Sequence, residues 1–107
     1  MNLSFVFNRN NLKNKSGKYT VNIRVNIDGK SDYLKILGFP KLEQKHWDND
    51  KKSVSSAHPF HLKLNSILKR EHAKLDQYYI DELDKDRKPN LKEIRHFYEN
   101  QKERESF

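Results

Sequence analysis

Cysteine is absent from the 107 residues, which rules out a disulfide framework and any thiolate-ligated metal and fits a reducing compartment. Glycine and proline occur three times each, too few glycines for a glycine-rich phosphate-binding loop. Hydrophobic residues make up only 34%, and no apolar run approaches the ~18 residues of a membrane span or forms the centre of a signal peptide. A soluble, cytoplasmic protein without a membrane partner is therefore expected. The histidines, His46, His58, His61, His72 and His96, form no HExxH or other helical metal pair. His58 and His61 lie close together, but zinc there would lack further ligands at a diagnostic spacing, so surface or capping roles are the plainer reading. The carboxylates fall mostly beside Lys and Arg at the spacing of solvated helical pairs, and no Ser/His/Asp order suggests a nucleophile. No metal, no cofactor and no catalysis are expected of this chain.

What is present is charge and aromatic rings. Charged residues reach 35%, so the core is small and stability should sit at the low end of the usual ~5–15 kcal/mol. One Trp, five Tyr and six Phe still supply large side chains to bury. The net charge of +7 is uneven: residues 1–59 carry eleven Lys/Arg against five Asp/Glu, and residues 60–107 eleven against ten. The excess lies on the half patterned as strands. An anionic partner for that half follows naturally, the plain alternative being basic charge that only serves solubility.

Residues 2–7 (NLSFVF) place Leu3, Phe5 and Phe7 at period two, as a half-buried strand requires. Residues 8–18 form a polar, basic loop with four Asn and one Gly. Residues 19–27 (YTVNIRVNI) are the clearest strand, with Val21, Ile23, Val25 and Ile27 on one side and Asn22, Arg24 and Asn26 on the other. Asp28-Gly29 suits a two-residue type I′ turn, and residues 31–37 return with Leu34 and Ile36 inward and Tyr33 and Lys35 outward. Residues 42–47 read as a helical turn that delivers Trp47 to the core. Pro59 suits the first turn of a helix, and Phe60, Leu64, Ile67, Leu68, Leu75, Tyr78 and Tyr79 recur at helical spacing towards residue 83. At ~1.5 Å per residue such a helix outruns a three-stranded sheet, so its far end must project or meet another partner. After a charged linker at residues 84–89, Asn90 and Glu93 form a capping-box pattern ahead of the stripe Leu91, Ile94, Phe97 and Tyr98, and residues 101–107 should fray. The expected class is α+β: a three-stranded antiparallel β-sheet packed on a long α-helix, followed by a second, shorter helix. Residues 1–83 would form one unit, with residues 84–107 as linker and helix leading onward.

With one sheet face covered by a helix, the other is free to bind. Thr20, Asn22, Arg24 and Asn26 lie on it, beside Tyr33 and Lys35, with Asn2, Ser4 and Val6 from the first strand. Arg and Asn are the side chains that pair bidentately with guanine and adenine edges, and a twisted β-ribbon fits a major groove. Arg9, Lys13, Lys15 and Lys18 of the loop, and Lys30 at the turn, would flank the face and hold phosphates. The competing reading is an ordinary solvated hairpin.

The hairpin YTVNIRVNIDGKSDYLKILGF, followed at a fixed distance by Trp47-Asp48 in a "P…HWD" segment and then by a long helix, resembles a known family. It is similar, over about residues 3–83, to the N-terminal arm-type DNA-binding domain of phage- and conjugative-transposon-type tyrosine recombinases (integrases). The resemblance implies that the sheet enters the major groove of double-stranded DNA at arm-type sites, with Thr20, Asn22, Arg24, Tyr33 and Lys35 facing it. It also implies that the Arg/His/Arg set and tyrosine nucleophile of such enzymes belong to a later domain. Nothing in this chain matches that set; His96, for one, is not in an HxxR motif. The rival class is a protein-interaction module in which the helical part meets other recombinase subunits or accessory proteins. RNA binding ranks last, since it usually wants exposed aromatics on adjacent strands and only Tyr19 or Tyr33 qualifies.

Overall fold

A computed structural model describes residues 1–11 and 13–100; the fraying expected of residues 101–107 lies outside that range. The elements are strands β1 (Asn2–Phe7), β2 (Lys18–Tyr19), β3 (Val21–Ile27), β4 (Lys30–Lys35), β5 (Leu42–Glu43), β6 (Trp47–Asp48) and β7 (Ser53–Val54), then helices α1 (His61–Asp84) and α2 (Leu91–Glu99). β1, β3 and β4 form the antiparallel sheet, with β3 in the middle. The alternation in the sequence becomes the alternation of burial, since Val21, Ile23, Val25 and Ile27 are all buried while Asn22, Arg24 and Asn26 stay half-exposed. Asp28 (φ 52°) and Gly29 (φ 81°) take the two left-handed conformations that a type I′ turn demands.

The strand expected over residues 19–27 is broken at Thr20. Asn8 adopts φ 49°, turning the chain away after β1, and its N–H bonds to the Thr20 carbonyl at 2.9 Å, which closes this end of the sheet. Before that point Lys18 and Tyr19 pair instead with Glu43 and Leu42. The helical turn expected near residue 45 is a short 3₁₀ segment, Gln44–His46. It leads into Trp47, which is buried, stacks on Phe7 at 6.0 Å and pairs with Val54. Asn65 of α1 then fastens that β6–β7 ribbon: its Oδ1 accepts from the Val54 N–H at 2.8 Å and its Nδ2 donates to the Val54 carbonyl at 3.0 Å.

Helix α1 begins at His61 rather than at Pro59, and Phe60, first of the residues at helical spacing, occupies the N-cap position with 64% of its surface exposed. Leu64, Leu68 and Leu75 are buried, and the same stripe carries the buried Glu71. The far end of α1 meets a partner within the chain. Tyr78 stacks on Phe97 of α2 at 4.0 Å, and the buried Tyr98 hydroxyl donates to Glu71 Oε1 at 3.3 Å. The capping box forms, with the Glu93 N–H donating to Asn90 Oδ1 and the Asn90 N–H donating to Glu93 Oε1. The inner face of the sheet thus rests on two helices, and Ile94 and Tyr98 belong to the same buried cluster as Ile23, Leu34 and Leu68.

Candidate nucleic-acid interface

The strand register fixes what the uncovered face displays. Across β1, β3 and β4 its rows are Asn2–Asn26–Ser31, Ser4–Arg24–Tyr33 and Val6–Asn22–Lys35. None of these nine residues is acidic. The one carboxylate of β4, Asp32, lies opposite Val25 and so has the parity of the core face. There Arg95 of α2 takes both its oxygens, Nε to Oδ2 at 2.8 Å and Nη2 to Oδ1 at 2.6 Å, while Nη2 also donates to the Tyr33 carbonyl at 2.9 Å. That hydrogen-bonded guanidinium is the first cause holding the Asp32 carboxyl below the usual range, against the opposing effect of burial.

Within the rows, the Asn26 amide donates to Ser31 Oγ at 2.9 Å, and the Asn22 amide to the Leu34 carbonyl at 3.3 Å. Both side chains are therefore oriented by the sheet itself. Arg24 and Lys35 make no ion pair among the described residues. Of the base-facing candidates, Asn22, Arg24, Tyr33 and Lys35 are brought together on one face. Thr20 is exposed but lies in the break before β3, outside the paired rows.

The phosphate candidates separate into three groups. Lys13, Lys15 and Lys18 are exposed on the loop before β2. That loop is organised by Asn14, whose Oδ1 accepts from the Ser16 hydroxyl and the Gly17 N–H, both at 2.9 Å, while its amide donates to the Lys18 carbonyl at 3.0 Å. Arg9 is drawn onto the sheet face, its guanidinium carbon 4.0 Å from the centre of the Tyr33 ring. Lys30 departs from the placement expected of it. Opposite Ile27 it has core-face parity, and it lines a groove with Lys88, Asn90 and Lys92 at the start of α2 rather than flanking the outer face.

Of the histidines close in sequence, His61 brings its ring Nδ1 to 3.0 Å from the His58 carbonyl oxygen. His46 and His58 contact edge-on at 4.7 Å, and His58 Nδ1 accepts from the Phe60 N–H at 3.0 Å. Desolvation first, then the neighbouring His46 and His61, hold His58 below the ordinary histidine value. Among the described residues no three His, Cys, Asp or Glu side chains are placed to hold a metal ion, and no helix is long and apolar enough to cross a membrane.

Sequence reasoning missed Asn14, Arg95 and the Arg9–Tyr33 stack. The Asn-x-Ser-Gly run at residues 14–17 was a legible turn signal; the other two link residues 63 and 24 positions apart and have no local signature.

A small α+β domain that covers one sheet face with helices and leaves the other polar, cationic and free of acid is the build of a nucleic-acid-binding module. The family model of the arm DNA-binding domain matches residues 6–95, and the chain belongs to that family. The match runs from β1 through α1 into α2. No curated protein and no solved structure matches the chain. Family membership makes this a non-catalytic DNA-binding domain with DNA as its partner.

Proposed function

We propose that the chain is the arm-site-binding domain of a tyrosine recombinase, inserting the β1–β3–β4 sheet into the major groove of double-stranded DNA during integration. The observation that carries this reading is the acid-free outer face, with Arg24 in the middle of one row and Lys35 at the end of another, neither in an ion pair among the described residues. Arg24 reads base edges, with Asn22, Tyr33 and Lys35 beside it and Thr20 at the margin, while Lys13, Lys15 and Lys18 hold phosphates. Residues 84–107 lead towards the core-binding and catalytic region of a larger recombinase, which supplies the chemistry. Contact with other subunits is a second element of this reading, supported by Ile80 and Leu83, which remain 50% and 46% exposed at the far end of α1.

Fluorescence anisotropy on a duplex selected from a random library, and on a random duplex, across a salt series tests the reading. Arg24→Ala should weaken the selected duplex by about 1–3 kcal/mol and leave random DNA nearly unaffected. Lys15→Ala should weaken both alike and reduce the log–log salt slope by about 0.9. Equal losses on both duplexes for Arg24→Ala would remove its base-reading role.

A further inference from the structure

Arg9 follows β1, yet its guanidinium rests on Tyr33 of β4, the strand on the opposite edge of the sheet. The left-handed Asn8 redirects the chain at this point, and the Asn8 N–H to Thr20 carbonyl bond fixes the redirection. Tyr33 is the cross-strand partner of Arg24, so the ring that carries Arg9 sits in the same row as Arg24. Asp32 feels the charge of Arg9, but its two oxygens accept from Arg95 and it forms no ion pair with Arg9 among the described residues.

A guanidinium stacked on an aromatic ring uses its face, which the ring quadrupole attracts. Its five N–H donors lie in its plane and stay available at the edge. Stacking therefore restricts the orientation of the fork without consuming it, which is the condition for bidentate pairing with guanine O6 and N7. A flexible phosphate clamp needs no such support.

Resting on the reading of the outer face as the DNA-binding face, we propose that Arg9 is a specificity-determining residue. Tyr33 orients its guanidinium so that Arg9 and Arg24 present two forks to guanine edges in the same stretch of groove. The preferred duplex accordingly carries guanines under both arginines, and Tyr33 acts chiefly through Arg9.

The test uses the full chain, a duplex selected by the wild-type protein and a random duplex, with Arg9→Ala, Arg9→Lys, Tyr33→Phe, Tyr33→Leu and the Arg9→Ala/Tyr33→Leu double variant. Arg9→Ala and Tyr33→Leu should each lose about tenfold on the selected duplex with little change on random DNA. Arg9→Lys should lose nearly as much, since an ammonium has no fork, and Tyr33→Phe, which keeps the ring, should bind as wild type. The double variant should lose no more than either single one, because both remove the same contact. Arg9→Ala weakening both duplexes alike, with a shallower salt slope, would make Arg9 a phosphate contact and overturn the proposal. Additive losses would overturn the orienting role of Tyr33. If Arg24→Ala abolishes discrimination while Arg9→Ala does not, this proposal fails and the outer-face reading stands; if the wild-type chain binds neither duplex, both fail.

Discussion

Arg95 is the residue on which the back of β4 depends. Its bonds to both oxygens of Asp32 and to the Tyr33 carbonyl tie α2 to β4, directly behind the outer row that carries Tyr33. Both side chains are about one-third exposed, so the pair is worth less than a buried one. Arg95→Ala should cost about 1–2 kcal/mol, the range for a charge-assisted hydrogen bond discounted for solvent, read as a lowered urea midpoint. The pair also sets a pH dependence. A carboxyl whose folded pKa is depressed contributes stability that is fully present above the unfolded value of ~3.9 and is lost as pH falls through the lower, folded one. Asp32→Asn should therefore destabilise the chain at pH 7, and its deficit relative to wild type should shrink as the pH drops below about 4. A deficit that stays constant down to pH 2 would mean the ion pair contributes nothing to folding.

Among the elements, the β3–β4 hairpin and α2 position the face from its two sides. At Gly29, φ is 81° and a Cβ would meet no atom within 4 Å, so the cost of a side chain there is conformational alone. Gly29→Ala should lower stability by about 1 kcal/mol, visible in thermal or urea unfolding, without a local clash. Asn90 closes the capping box, and Asn90→Ala should cost about 0.5–2 kcal/mol and loosen the helix that delivers Arg95. These elements were legible in the sequence because their signals are local. Period-two alternation marked β1 and β3, Asp28-Gly29 marked the turn, and Asn90 with Glu93 marked the start of α2. What escaped depends on residues far apart. The break at Thr20 follows from the left-handed Asn8 and its bond across the sheet end, and no propensity of the run YTVNIRVNI announces it. Phe60 fits the apolar spacing of α1 yet falls at the N-cap, before the helical face exists to bury it. Glu71 looks like a surface charge until Tyr98, 27 residues later, folds over it.

At the scale of the whole molecule, charge and burial are sorted to opposite sides of one sheet. The core side gathers β3, α1 and α2 into a single apolar cluster, and the acid of β4 is neutralised on that side. On the other side Arg24 and Lys35 form no ion pair among the described residues. The candidate face was therefore readable residue by residue, through the strand parity of Asn22, Arg24, Tyr33 and Lys35. The place of Lys30 was missed because the sequence reading left it in the turn, whereas it opens β4 opposite Ile27 and so takes the inward parity of Leu34 and Ile36. The joint between α1 and α2 has its own signature. Burial, with Glu71 alongside, pushes the Tyr98 phenol well above its ordinary value. A raised folded pKa contributes stability that is full below the unfolded value of ~10 and lost as pH rises beyond it, so the chain should weaken above pH ~10. Tyr98→Phe should be flatter across that range; an identical alkaline decline in both would place the titrating group elsewhere.

The most direct test of the central claim is an NMR titration of the isotope-labelled chain with duplex DNA, following backbone amides and the Asn and Arg side chains. Shifts concentrated on Asn22, Arg24, Tyr33 and Lys35 and on Arg9 against the Tyr33 ring, with the lysine loop at the margin and α1 silent, are the expected result. Shifts confined to α1, or to the Lys30, Lys88 and Lys92 groove, would show that DNA is held elsewhere and would contradict the assignment of the outer face.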